Sequence, residues 1–367
     1  MEEYKLFEEG ELESLRKRED EENKDSTDSV IPPPDIVAFN EQRSCADIYR
    51  MYQKDQIDIN PDFQRGEVWT PKSQTLFIDS LMKQLPIPSM CISYDINTHK
   101  RLVIDGLQRI TSIIKFLDVD KDWKLSKSDD VDSRISGKPV SEIRKNYSGL
   151  IDILENVTIP ITVIRCDYKN QNHMKYLFQI FHRLNSGGNK LYNQEIRNCI
   201  FQGPFNNLLK EIARTESWMT FANTDQKRVE KARFSNEERI LRFFAFYEQR
   251  DEYSGKLAEF LNKYMDDKKD ASDDIIESYR NLIENTLSVA NKIGEKINSR
   301  NVADAILVGI AQNIDALSME SPEELRHRYS KVMESDDFSE ESLSEGLGSS
   351  DKVKNRIKKA IECFGNG

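Results

Sequence analysis

Three short stretches of the chain bring together residue types that handle phosphate, water or bases. Asp105-Gly106-Leu107-Gln108-Arg109 follows the apolar Leu102-Val103-Ile104 and precedes Ile110, Ile113, Ile114 and Leu117. That pattern predicts a strand, a tight glycine turn and a helix. A glycine at such a turn lets backbone N–H groups approach a ligand closely, and the helix N-terminus favours anions. Arg109 adds a planar fork of donors suited to phosphate oxygens. Gln108 can orient a water, and Asp105 can hold a divalent cation or a ribose hydroxyl. Read alone, the same five residues also describe an ordinary turn beside a surface arginine.

The second stretch is Pro61-Asp62-Phe63-Gln64-Arg65, with Trp69 four residues beyond the arginine. Tryptophan beside arginine suits base stacking, while Phe63 and Trp69 would serve equally as core anchors. The third is Phe181-His182-Arg183-Leu184-Asn185-Ser186-Gly187-Gly188, followed by Leu191 and Glu195. Here Arg183 and Asn185 can close over phosphates, or the segment can be a helix C-terminus with an exposed arginine.

These stretches need elements to position them. Ser44 is a candidate N-cap for a helix through Ile48 and Tyr52, and Ile57-Asp58-Ile59 reads as a strand. Pro71 suits the first turn of a helix whose stripe is Leu76, Phe77, Ser80, Leu81 and Leu85. Met90–Tyr94 and Arg101–Ile104 read as strands joined by a turn at Asn97–Lys100, and Val157–Ile164 as a further strand. Residues 119–140 look like a polar insertion. Met174, Leu177, Phe178 and Phe181 form one apolar stripe of a helix, and a second helix starts near Asn193. From residue 201 onward nearly every pattern is helical. The expected organisation is a disordered acidic arm and proline linker at 1–35, an α+β domain at 36–200 and an all-helical domain at 201–367.

Composition narrows the classes. Among 367 residues, 38% are hydrophobic and 32% charged, enough to bury a core in a polar chain. No apolar run approaches the roughly 18–20 residues that span a bilayer, and the acidic N-terminus is unlike a secretory signal. Five scattered cysteines without a Cys-x-x-Cys pair fit reduced thiols, so the expected location is cytoplasmic, with no membrane partner. Net charge is −11, but residues 1–30 and 334–351 contribute −7 each, which leaves the remainder at +3. Lys227, Arg228 and Lys231 form a locally basic run that can position nucleic acid by its phosphates, or simply a solvated helix face.

Taken in order, P-x-F-Q-R-x-x-x-W (Pro61 to Trp69), D-G-x-Q-R (Asp105 to Arg109) and F-x-R-L-N-S-G-G (Phe181 to Gly188) resemble the N-terminal domain of GmrSD-type modification-dependent restriction enzymes. The resemblance covers roughly residues 44–200. It implies a ParB- and sulfiredoxin-like fold, nucleotide hydrolysis and control of the cleavage of modified phage DNA. It also implies a site made of Gln64, Arg65, Asp105, Gly106, Gln108 and Arg109, with Arg183 and Asn185 beside it. The implied ligand is an NTP carried with a divalent cation such as magnesium, with Asp105 as the metal-holding carboxylate. The family usually writes D-G-Q-Q-R, and this chain has Leu107 at the first glutamine.

No G-x-x-x-x-G-K-[ST] motif is present, so any NTPase would not be of the P-loop kind. No His-Asn-His nuclease cluster is evident either, since His327 stands alone. Three readings stay open: an NTP hydrolase that gates a defence effector, a non-catalytic sensor of nucleotide or modified DNA, and an interaction protein whose helical half docks a partner such as a nuclease. The stretch Ala303–Ile310 is expected to pack a core and leave a face for that partner.

Overall fold

The computed structural model describes residues 31–59, 69–184, 192–231, 234–297, 299–339, 341–343 and 346–365. Expectations for the acidic arm, Gln64, Arg65, Asn185 and the Lys231 side chain lie outside the described residues. The chain divides into two compact units, one of Ser29–Ile200 and one containing Phe201–Gly367. The first is mixed α+β and the second is all-helical.

In the first unit, β1 (Val37–Ser44), β2 (Ile57–Asp58), β3 (Met90–Asp95), β4 (Arg101–Asp105) and β5 (Thr158–Cys166) form one sheet in the order β1-β5-β3-β4-β2. The β1/β5 and β3/β4 pairs are antiparallel, whereas β3/β5 and β2/β4 are parallel. The helices are α1 (Cys45–Gln53), α2 (Pro71–Met82), α3 (Leu107–Leu117), α4 (Val140–Asn146), α5 (Ser148–Asn156), α6 (Gln171–Leu184) and α7 (Asn193–Ile200). Local chemistry sets several boundaries. The Ser44 hydroxyl accepts the Asp47 N–H at 3.0 Å and caps α1, and Thr70 caps α2 with Pro71 in its first turn.

Two sequence expectations need revision here. The buried face of α2 is Phe77, Ile78, Leu81 and Met82 with Thr75 and Asp79, whereas Leu85 lies beyond the helix and is half exposed. Residues 119–139 are packed as well as polar. Trp123, Leu125, Val131 and Ile135 are buried, and the buried Asp79 carboxylate accepts the Asp132 N–H at 3.0 Å while pairing with Lys83 at 2.6 Å. Four apolar anchors at irregular spacing hold the segment without a helical or strand period.

The second unit contains α8 (Pro204–Ile212), α9 (Glu216–Phe221), α10 (Gln226–Lys231), α11 (Ser235–Gln249), α12 (Leu257–Lys268), α13 (Asp273–Ile293), α14 (Arg300–Gln312), α15 (Ile314–Leu317), α16 (Pro322–Met333) and α17 (Ser350–Gly365). Its centre is α14, which is buried continuously from Asn301 to Ala311. A helix buried all round is a core helix, so Ala303–Ile310 offers no free face to a partner, against the sequence expectation. Gly309 shows how closely α17 approaches: a Cβ there would lie 2.9 Å from Ala360. No described helix is long and apolar enough to cross a membrane.

Candidate functional site

The turn between β4 and α3 is where the chemistry-bearing residues meet. Leu102, Val103 and Ile104 bury β4 in the sheet, and Asp105 ends the strand. Gly106 then takes φ +97°, ψ 15°, a left-handed conformation that only glycine adopts cheaply. A Cβ at this position would also sit 2.6 Å from Cγ of Met90. Backbone and neighbour therefore both demand glycine. No side chain caps the N-terminus of α3.

The sheet is locally irregular beside this turn. Cys91 pairs with Asp105 while Ile92 pairs with Val103, so Ile104 is an extra residue on β4. Such a bulge re-aims the following side chain. It brings Cys91 and Asp105 to a common cavity of about 440 Å³. The sheet adds Ala38, Thr162 and Ile164 to its walls. Tyr176, Ile180 and Leu184 come from α6, and Pro32 and Ile36 from the segment leading into β1.

Arg109 is committed to the protein. Its Nη2 donates to Asp105 Oδ2 at 2.6 Å, and its Nη1 donates to the carbonyls of Pro88 at 2.6 Å and Ser89 at 3.3 Å. Only 13% of its side chain is exposed. The sequence pictured a solvent-facing phosphate ligand; the structure has a strut that fixes Asp105 and the approach to β3. Asp105 Oδ2 is taken by this pair, and Oδ1 has no partner among the described residues.

Gln108 is half-buried, and its Oε1 accepts the Trp69 N–H at 3.2 Å. The chain leaving the Pro61–Val68 stretch is thus fastened to the D-G-L-Q-R turn. Leu184, the last described residue of the third stretch, lines the Asp105 cavity, with exposed Arg183 beside it. The second and third stretches thus each meet the D-G-L-Q-R stretch, Trp69 at Gln108 and Leu184 at the Asp105 cavity. Leu107 points the other way and is buried with Ile110, Ile113 and Ile114. An apolar residue at this position is a packing choice, and burying it contributes roughly 1.5–3 kcal/mol.

The electrostatics exclude one chemistry. Burial, followed by the Asp105 charge, pushes the Cys91 thiol up to about 12. Cys91 is therefore held as a thiol and is a poor nucleophile. Cys45 and Cys166 are likewise pushed up to about 12 by burial. Asp105 is a poor fit to the metal-holding role. Its second oxygen belongs to Arg109, the walls around it are largely apolar, and among the described residues no group of three His, Cys, Asp or Glu side chains converges. A hydrated magnesium ion needs oxygen partners around it.

One wall is latched by His173, which lies outside the three stretches. Asp167 N–H donates to His173 Nδ1 at 3.0 Å, which leaves the proton on Nε2 to be donated to Asp35 Oδ1 at 3.0 Å. His173 is buried, and its hydrogen bond holds the Asp35 carboxyl below its ordinary value. This bond pins the segment that carries Pro32 and Ile36. A second omission is the run Gln194-Glu195-Ile196-Arg197-Asn198, buried throughout in α7. Gln194 Nε2 donates to Asn198 Oδ1 at 3.0 Å, and Arg197 Nη1 to Gln194 Oε1 at 3.1 Å. Four polar residues in five, shortly after the third stretch, were the available signal.

The basic run lies in the helical unit. Lys227 and Arg228 are exposed on α10, and Arg228 reaches Asp225 at 3.4 Å, which offsets part of the local charge.

Residues 46–202 match the family model described as GmrSD restriction endonuclease, N-terminal domain. Searches of curated proteins and of solved structures gave no match.

Proposed function

Because residues 46–202 belong to the GmrSD restriction endonuclease N-terminal domain family, we propose that this chain is the nucleotide-binding component of a restriction-like defence system. The observation that carries the reading is that the D-G-L-Q-R stretch meets both others: Asp105 and Leu184 line one cavity, and Trp69 is bonded to Gln108. A ParB- and sulfiredoxin-like fold is part of the proposal, supported by the strand–glycine–helix turn at β4–α3. The high pKa of Cys91 separates it from thiol chemistry of the sulfiredoxin kind.

In this reading the roles are redistributed. Asp105 and Gly106 shape the pocket, and Arg109 positions Asp105. Phosphates are met by Arg183, by the uncapped N-terminus of α3, and by Gln64, Arg65 and Asn185 of the neighbouring stretches. A divalent cation rides on the phosphates of the NTP, which supply most of its oxygens. Gln108 is the candidate for holding a water.

Binding ranks ahead of hydrolysis. Gln108 is neutral, its Oε1 already takes a backbone N–H, and Arg109 is spent on three protein oxygens. The second reading, a sensor that regulates a partner effector without turnover, rests on those same bonds. DNA cleavage is assigned to that partner, and the chain alone should leave plasmid DNA intact with magnesium and any NTP.

Equilibrium binding of the four NTPs, with phosphate release measured in parallel, tests the proposal. At least one NTP should bind, and Arg183→Ala should weaken it about tenfold while leaving the thermal midpoint in place, as expected for an exposed residue. If no NTP binds the folded wild type, with or without magnesium, the nucleotide reading is wrong. Phosphate release that Gln108→Ala abolishes would promote hydrolysis over sensing.

A further inference from the structure

We infer that the cavity at Asp105 receives the base of the nucleotide, with a ring N–H or amino group donated to Asp105 Oδ1 and the phosphates directed outward. The inference rests on the nucleotide reading above and names which end of the ligand enters.

Size and lining come first. A volume of about 440 Å³ lies within the roughly 300–1,000 Å³ of small-ligand sites. Ile36, Ala38, Ile164, Ile180 and Leu184 make the walls largely aliphatic, and the Tyr176 ring adds an aromatic surface. Such walls suit a flat heterocycle and strip water from a phosphate without replacing it.

Charge gives the same orientation. Among the described lining residues the one charged side chain is Asp105, a carboxylate. The nearest guanidinium, Arg109, already donates to three protein oxygens. A phosphate pushed into the cavity would face like charge at Asp105 Oδ1.

The polar atoms that remain are those a base edge needs. Asp105 Oδ1 is an acceptor without a partner among the described residues, and Arg109 on Oδ2 fixes its direction. An ionised carboxylate only accepts, so it selects N–H donors, which every common base presents on its pairing edge. Thr162 is turned away, donating to Asn40 Oδ1 at 2.9 Å. No hydrogen bond engages the Tyr176 hydroxyl among the described residues, so it can meet a ring nitrogen or carbonyl.

The test compares the four ribonucleosides, the four ribonucleoside triphosphates and inorganic tripolyphosphate, titrated against the whole chain by calorimetry. Two variants accompany the wild type: Asp105→Asn, which replaces an acceptor-only group by an amide, and Ile180→Trp, which fills the cavity from α6. At least one nucleoside should bind without phosphates. Asp105→Asn should weaken it about ten- to a hundredfold, the range of a lost charged hydrogen bond. Ile180→Trp should abolish it, with the thermal midpoint reporting that each variant is folded. If triphosphates and tripolyphosphate bind, nucleosides do not, and Ile180→Trp keeps full triphosphate affinity, the base is elsewhere and this inference is overturned while the nucleotide reading stands. If none of the nucleosides or triphosphates binds, both fall together.

Discussion

One charge in each unit shows the difference between a pair enclosed in a core and a pair beside a cavity. In the helical unit, the buried Arg242 and Arg328 are each bonded to more than one group. Arg242 donates to Asp304 at 2.8 Å and to Asn301 at 2.8 Å, and Arg328 reaches Glu320, Glu324 and the Phe364 carbonyl. In the α+β unit, Asp105 is matched on one oxygen only, and the other faces a cavity. A pair enclosed in the core fixes a scaffold, whereas a carboxylate with one oxygen on a cavity is able to act on a ligand.

The largest way to break that contrast is to remove one side of a closed pair. Asp304→Ala strands Arg242 in the core and should cost about 3–5 kcal/mol in urea unfolding followed by circular dichroism. A loss under 1 kcal/mol would mean the helical unit tolerates open charges too.

Next comes the half-matched pair itself. Arg109→Ala removes three hydrogen bonds from a mostly buried guanidinium and should cost about 1.5–3 kcal/mol, toward the lower end because Asp105 is partly solvated. Arg183→Ala, on an exposed position, should leave stability unchanged. Equal midpoints for these two variants would return Arg109 to the role of a free ligand.

Gly106→Ala isolates the backbone. The left-handed φ alone costs about 1–2 kcal/mol for a residue with a Cβ, and Met90 must also move. Nucleotide affinity should fall further than stability, because the turn aims Asp105. Stability lost with affinity intact would make the glycine structural only.

The smallest effect is a pH dependence. Arg134 holds Asp132 down to about 2, against an ordinary value near 4. A depressed carboxylate stabilises the fold above its unfolded value and loses that contribution as pH falls through the folded one. The gap in midpoint between wild type and Asp132→Asn should therefore be full near pH 6 and close between pH 4 and 2. A constant gap would assign Asp132 to packing.

What was legible in the sequence follows from period and motif. The β4–α3 turn could be read because Leu102-Val103-Ile104 changes to helical spacing across a glycine. The α6 stripe of Met174, Leu177, Phe178 and Phe181 is buried as its spacing requires. The edge strand β1 was invisible because an exposed edge needs no apolar alternation; Val37 and Phe39 are half exposed. Residues 119–139 misled for the opposite reason, since four anchors suffice to pack a polar segment. At the site, residue types were readable but allegiances were not. Nothing in D-G-L-Q-R says that Arg109 turns back to Pro88 and Ser89, or that Leu107 points into the core. Both depend on distant chain.

The extra residue in β4 carries a consequence for how this site can change. Side chains on a strand alternate, so facing is a matter of parity. With Ile104 present, Asp105 stands across from Cys91 and shares its cavity. Were the same residues paired without the bulge, Ile104 would stand across from Cys91 and the carboxylate would be dealt to the opposite side of the sheet. The bulge is thus as much a determinant of the site as the composition of β4. Related sequences that kept every motif letter but paired β3 and β4 without this bulge would be lookalikes with the carboxylate facing elsewhere.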